Sequence, residues 1–186
     1  MLRMPKRDIG LWFSLDANRI NARQGDQCMN QLEQWAQNGV IHLYMSEPAA
    51  TEARKAGASK RHEKVLKFSP IMLTLADTHE EQRLLHQISD ILFGRSPKDY
   101  NEENDVKIVF NAKKYPGPLI TEDGDSKGQP YGILGKRTQL KTIGIDVWTT
   151  EQAIEAVRRK IKLRDEKARK VATCTGQPLP NWVSKD

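Results

Sequence analysis

Four acidic residues stand where a carboxylate could do more than face solvent. The run Leu11-Trp12-Phe13-Ser14-Leu15 is apolar, rich in strand formers, and stops at Asp16-Ala17-Asn18. A carboxylate that ends a buried strand lies where the chain leaves the core, which in open α/β sheets is the crevice that takes ligands. The plainer role for Asp16 is a turn residue or helix N-cap. Pro118-Leu119-Ile120-Thr121 repeats the arrangement, a short strand delivering Glu122, Asp123 and Asp125 into a glycine-rich loop that runs to Gly135. Between these strands, Asp105, Ile108, Val109 and Ala112 follow i, i+3, i+4, i+7 spacing. That spacing sets the acid on the apolar face at the start of a helix capped by Asn104. Glu52 stands three residues after Ala49 and beside Ala53, on a face of small residues meant for packing. Glu47 is the alternative, although in a first helical turn the helix dipole alone would justify it.

If Asp16, Glu52, Asp105 and Asp123 converge, they repel and raise each other's pKa unless cations neutralise them. Mg²⁺ and Mn²⁺ are the natural choice, being hard ions with oxygen ligands that keep some of their water. An acidic, metal-filled notch on a basic protein suits hydrolysis of a phosphodiester, in which basic residues hold the backbone while the metal activates water.

The elements that must position these acids alternate in type. After Asp16 a polar turn passes Gly25, and a helix over 27–38 carries Met29, Leu32, Trp35 and Ala36 on its apolar stripe before Gly39. Val40 to Met45 is a second strand, and Ser46 caps a helix running to Ala56 with Pro48 in its first turn. Lys60 to Ser69 reads as helix or loop, and Ile71 to Leu75 as strand or helix. Thr78-His79-Glu80-Glu81 is a capping box for a largely core helix bearing Leu84, Leu85, Ile88, Ile91 and Leu92 and ending at Gly94. A helix over 105–114 and the Pro118 strand follow. Lys141 to Trp148 is a last strand, and Thr149 with Gln152 forms a capping box for a long final helix. The result is one α/β domain over 1–170, with a loose tail over 171–186 whose Trp182 is a docking anchor.

Composition bounds the function classes. The 186 residues carry 30 Lys and Arg against 24 Asp and Glu, a formal charge of +6. A chain of this size buries about 70% of its unfolded surface without staples. Cys28 and Cys174 have neither disulfide-framework nor metal-ligand spacing, which suits reduced thiols in the cytoplasm. The basic start is too short and too soon acidic for a signal peptide or membrane span. Two basic stretches, Arg54, Lys55, Lys60, Arg61, Lys64 and Lys67, and then Arg158 to Lys170, either bind phosphates or are solvated helix faces. Asn18 occupies the position where a haloacid-dehalogenase-like phosphatase needs its second aspartate. Asp16 lacks the neighbouring acids of a receiver domain, and no P-loop or dinucleotide fingerprint follows a strand. The four histidines share no zinc spacing, and Trp12, Trp35 and Trp148 fall in core patterns.

Asp16-Ala17-Asn18, then Ser46-Glu47-Pro48-Ala49-Ala50-Thr51-Glu52, then Asp105, then Leu119-Ile120-Thr121-Glu122-Asp123-Gly124-Asp125 resembles the PIN domain family of metal-dependent ribonucleases. The order of elements is also similar, including Gly144-Ile145-Asp146-Val147-Trp148-Thr149 leading into a helix, and the resemblance spans about Ile9 to Val157. It implies a three-layer α/β/α fold with a central, mostly parallel sheet. It also implies Mg²⁺ or Mn²⁺ held by Asp16, Glu52, Asp105 and Asp123, with Asp125 as an outer ligand and Asn18 and Thr121 orienting the first and last acids. The activity implied is cleavage of single-stranded RNA, often as the toxin of a toxin-antitoxin pair, with Arg54, Lys55, Lys60 and Arg61 as RNA-binding candidates. Expected partners are single-stranded RNA, an antitoxin-like protein and a second copy of the chain, with no membrane. The chain is longer than compact members of the family, with extra segments at 57–69, 96–104 and after 170. A PIN-like fold that binds RNA without cleaving it is the alternative.

Overall fold

In a computed structural model the described residues are 3–20, 25–55, 59–67, 70–124 and 132–186. Strand β1 (Trp12–Leu15) is followed by a 3₁₀ turn (Ala17–Arg19), α1 (Gln27–Gln37), β2 (His42–Ser46), α2 (Glu47–Lys55) and α3 (Ser59–Lys67). Then come β3 (Ile71–Met72), α4 (His79–Phe93), α5 (Tyr100–Lys114), β4 (Leu119–Ile120), α6 (Gly132–Gly135), α7 (Arg137–Thr142), β5 (Val147–Trp148) and α8 (Thr150–Thr175). The strands form one all-parallel sheet in the order β3-β2-β1-β4-β5. Parallel strands need crossovers, and the helices that supply them flank the sheet in a three-layer α/β/α arrangement. Helix α1 packs with α8, while α5 packs with α2 and α4. No helix among the described residues is long and apolar enough to cross a membrane.

Burial explains the strands. Phe13, Leu15, Leu43, Met45, Leu119 and Ile120 are all in the core, as a sheet covered on both faces requires. The chain runs outward from β1 through β2 to β3, then returns to the other side of β1 for β4 and β5. The order therefore reverses between β1 and β4, the switch point at which open α/β sheets bind ligands. Gly117 makes that adjacency possible. At φ 103° it passes so close to β1 that a Cβ there would lie 1.9 Å from the Trp12 carbonyl oxygen.

Several elements differ from their sequence reading. The ambiguous stretches resolve into helix α3 and edge strand β3, with α3 held to α1 by a Lys64–Glu33 ion pair of 2.8 Å. Helix α4 is less buried than its pattern suggests, only Ile88 and Ser89 being fully covered, because α4 lies outside α5 and not against the sheet centre. Helix α5 starts at Tyr100, five residues before Asp105. The Asp99 carboxylate accepts from the Asn101 and Glu102 N–H groups as N-cap, and Asn104 is buried inside the helix. The expected strand over 141–148 is mostly helix α7 and a turn, with Gly144 at φ 76° and only Val147–Trp148 in the sheet. Thr149 and Gln152 do form the capping box of α8. In the other box Thr78 accepts from Glu81 N–H, but the Glu81 carboxylate reaches back to Asp77 N–H instead.

The C-terminal end is ordered by charge. Helix α8 continues to Thr175, and the tail turns back so that Trp182 lies over the Arg164 guanidinium, 4.3 Å from ring centroid to Cζ. Buried Arg164 also donates to the Asp165 carboxylate at 2.7 and 2.9 Å and pairs with Asp186 at 3.0 Å. The Ser184 N–H closes the turn on Asp165. Trp182 is thus a docking anchor on the chain's own last helix.

Candidate functional site

The C-terminal ends of β1 and β4 bring Asp16 and Thr121 side by side. Asp16 is 6% exposed, and its carboxylate accepts three hydrogen bonds. Oδ1 accepts from Ala17 N–H at 2.6 Å, which makes Asp16 the N-cap of the 3₁₀ turn. Oδ2 accepts from Thr121 Oγ1 at 2.6 Å and from Asn18 Nδ2 at 2.9 Å. The capping reading of Asp16 therefore holds: one oxygen caps the turn, while the other lies in a polar network at the switch point. Thr121 Oγ1 in turn accepts from Asp123 N–H at 2.9 Å and from Asn18 Nδ2 at 3.1 Å. Asn18 and Thr121 thus fix the first and last acids relative to each other across two strands.

Asp123 is half-buried and anchored from the other side of the loop. Its Oδ2 accepts from Ile133 N–H at 2.9 Å and its carbonyl from Leu134 N–H at 2.8 Å, which ties the acid to the start of α6. Gly132 is required at that contact. With φ 30°, a Cβ there would stand 2.4 Å from the Asp123 carbonyl oxygen. Asp125 and Lys127 lie outside the described residues.

The two helical acids join this pair electrostatically. Burial pushes Asp105 up from the usual carboxylate range to about 8, and the charges of Asp16, Asp123 and Glu52 push in the same direction. Burial likewise raises Asp16 to about 6; the Thr121 hydrogen bond opposes this, and Glu52 and Asp123 reinforce it. The charges of Glu52 and Asp123 thus act on both Asp16 and Asp105, which brings the four sequence-selected acids to a single sheet edge. Their environments differ from the sequence reading in two respects. Asp105 sits in the second turn of α5, half-buried, and Glu52 is exposed on α2, not packed on its alanine face. The face holding Ala49, Ala50 and Ala53 is buried, and Glu52 is turned a step away from it. Glu47 is exposed in the first turn of α2 and is not among the leading causes of the shift at Asp16 or Asp105. As the side chains stand, no three His, Cys, Asp or Glu groups among the described residues are close enough to share one ion.

Basic and aromatic residues border this edge. Lys55, one turn after Glu52, lies over the ring of Tyr100 at 4.6 Å, and Tyr100 is the first residue of the helix that carries Asp105. Arg54 is half-buried, Lys60 is exposed, and the side chain of Arg61 lies outside the described residues. The histidines stay out of the site: His42 stacks on Trp12 at 4.1 Å and meets Asp8, while His62, His79 and His86 are exposed.

Two positioning residues escaped the sequence reading. The Arg19 guanidinium, 15% exposed, donates to Asn18 Oδ1, Asp26 and Thr150 Oγ1 and lies 3.6 Å from Glu122. Glu122 accepts from Thr150 N–H at 3.1 Å, a carboxylate at the N-terminus of α8. Together they clamp the loop after β4 to the start of α8. The signal was present in Arg19, a cation next to the Asp-Ala-Asn turn, but its partners are distant in sequence.

These features define a class: an all-parallel three-layer α/β/α protein with four acids near its topological switch point, two of them raised by burial and by the charge of the others. The chain matches no protein-family model, and no curated protein is significantly similar to it.

Proposed function

We propose that this protein is a divalent-metal-dependent endoribonuclease of PIN type that hydrolyses phosphodiester bonds of single-stranded RNA. The observation that carries this reading is the burial of Asp105 and Asp16 at the β1–β4 crevice within reach of the charges of Glu52 and Asp123, which together raise Asp105 to about 8 and Asp16 to about 6. The donor chemistry fits Mg²⁺ or Mn²⁺: the set is all carboxylate oxygen, and burial with neighbouring charge keeps Asp105 protonated at neutral pH and raises Asp16 to about 6, a cost that a cation would offset. The four acids would supply the ligands only by drawing closer around the ion, since as they stand no three of them are near enough to share it. When bound, such an ion supplies activation of water and neutralisation of charge on the scissile phosphate. The chain's own part is to hold the ligands in place. Thr121 and Asn18 fix the Asp16 carboxylate, Ile133 N–H fixes Asp123, and Lys55 with Tyr100 offers a cation and a ring at the rim.

Cleavage of labelled single-stranded RNA by the purified protein tests the reading, with Mg²⁺ or Mn²⁺, with chelator, and with Asp16→Asn. Metal-dependent cleavage lost in the variant is the expected outcome. RNA binding without cleavage in any metal overturns catalysis and leaves a binding module. A toxin-antitoxin setting, with an antitoxin-like protein as partner, belongs to the same proposal and is tested by neutralisation of the cleavage.

A further inference from the structure

Helix α8 carries more charge than a solvated face needs. Arg158, Lys162 and Arg169 fall within about 40° of arc, Arg159 and Lys170 within about 20°, and Lys160 and Lys167 within about 20°. All seven are exposed, against three exposed acids on the same helix, Glu151, Glu155 and Glu166. None of the seven pairs with a carboxylate among the described residues; the one polar contact is from Arg169 to the Ser184 hydroxyl. The helix could have satisfied its cations by i,i+4 pairing with Glu155 and Glu166, and it does not.

Helix α8 is also placed to continue from the acidic site. Its first residue, Thr150, is held by Glu122, the neighbour of Asp123. Beside the first turns of α8 lies a groove of about 350 Å³, lined by Trp148 of β5 and by Gln152, Glu155, Ala156 and Arg159 of α8. Arg158 to Lys170 spans about 18 Å of helix, and Arg158 begins about 12 Å from Thr150. We infer that the outer face of α8 is a track for the sugar-phosphate backbone of a single-stranded nucleic acid whose reactive segment lies at the β1–β4 crevice. The direction of the track rests on the ribonuclease reading; the surface itself rests on charge alone. Arginine forks and lysine point charges are the groups that neutralise phosphates, and no built pocket for a single small anion accompanies them. An anionic membrane is the poorer fit. A helix that lies on lipid inserts its apolar face, whereas that face of α8, with Ile154, Val157, Ile161 and Val171, is buried in the fold. Leu163 is the one exposed large apolar side chain on α8 among the described residues.

The test is equilibrium binding of a fluorescein-labelled oligouridylate to the full chain in chelator, where cleavage cannot interfere, over a series of salt concentrations. The variant Arg159→Gln/Lys162→Gln/Lys167→Gln removes one cation from each ridge and keeps good helix formers at exposed positions. Binding is expected to weaken at least about tenfold near 0.1 M salt, and the log K against log salt slope to fall by about 2, since each single-strand phosphate contact contributes about 0.7. Circular dichroism must match wild type. A variant that binds with unchanged affinity and slope overturns the track, as does a wild-type protein that binds anionic vesicles but not the oligonucleotide. Metal-dependent cleavage persisting beside either result leaves the nuclease reading standing. Loss of binding in the variant of a protein that never cleaves overturns catalysis and keeps the track.

Discussion

Replacing Asp105 by Asn should stabilise the metal-free protein, and the gain should grow with pH. The folded Asp105 carboxyl, at about 8 against an ordinary 3.8, holds its proton more tightly than the unfolded one. Stability contributed by that proton is fully present below about 3.8 and is lost as pH rises through about 8, because the folded state binds more protons than the unfolded state throughout that window. At pH 7 the full shift corresponds to an upper bound of about 4 kcal/mol. Asp105 is half-buried and solvent screens part of the repulsion, so about 2 kcal/mol is the expected gain in the variant. For a chain of this length that is about 4–8 °C in Tm. The Asp105 side chain makes no hydrogen bond among the described residues, so the isosteric amide loses none. The assay is thermal unfolding in chelator from pH 5 to 9, plotted as variant minus wild type. The difference should be small at pH 5 and largest at pH 9. Added Mg²⁺ or Mn²⁺ should raise wild-type Tm at pH 8 more than that of the variant. A difference that does not change with pH, or a variant less stable than wild type at pH 8, refutes the argument that repulsion among these acids is built into the fold.

Thr121→Val should raise the Asp16 pKa further, because it removes the hydrogen bond that opposes burial, and should cost about 2 kcal/mol in urea unfolding at pH 7 by stranding Asp123 N–H. Gly132→Ala forces a Cβ against the Asp123 carbonyl; it should lower stability by about 2 kcal/mol and disturb the Asp123 loop, read by unfolding together with cleavage of RNA. Asp165→Ala strips Arg164 of its two shortest carboxylate contacts while Asp186 remains, so a loss of about 3 kcal/mol is expected, with proteolysis of the tail after Thr175 becoming faster.

What the sequence made legible follows from how locally each feature is encoded. Strand β1 ending at Asp16, the α1 stripe of Met29, Leu32 and Trp35, and the Thr149–Gln152 capping box are written in contiguous residues, and each was read correctly in type. The start of α5 was misplaced because two caps compete within six residues. Asn104 precedes the periodic apolar run, but Asp99 satisfies the open N–H groups first, and once the helix is begun Asn104 simply continues it. The missing strand over 141–148 had a clean apolar alternation at Ile143, Ile145 and Val147, yet Gly144 takes positive φ and breaks the run after a helical turn. A two-residue β5 is all the sheet needs, because β4 beside it is also two residues long.

The site shows the same division between local and distant information. That an acid ends each of two strands can be read in the chain; that the two strands are neighbours cannot, since their pairing joins residues more than a hundred positions apart. The topology supplies this. The strand order reverses between β1 and β4, which in open α/β sheets is where a crevice forms at the ends of the strands. Asp16 and Asp123 are left there facing each other's charge, and α2 and α5, which pack together, add Glu52 and Asp105 from one side. A crevice opened only to satisfy packing would be lined with neutral polar groups, since four coupled carboxylates lower the stability of the empty fold. On the proposed reading a bound cation would remove that cost, which is why the metal-dependent Tm of wild type and Asp105→Asn bears on function as directly as cleavage does.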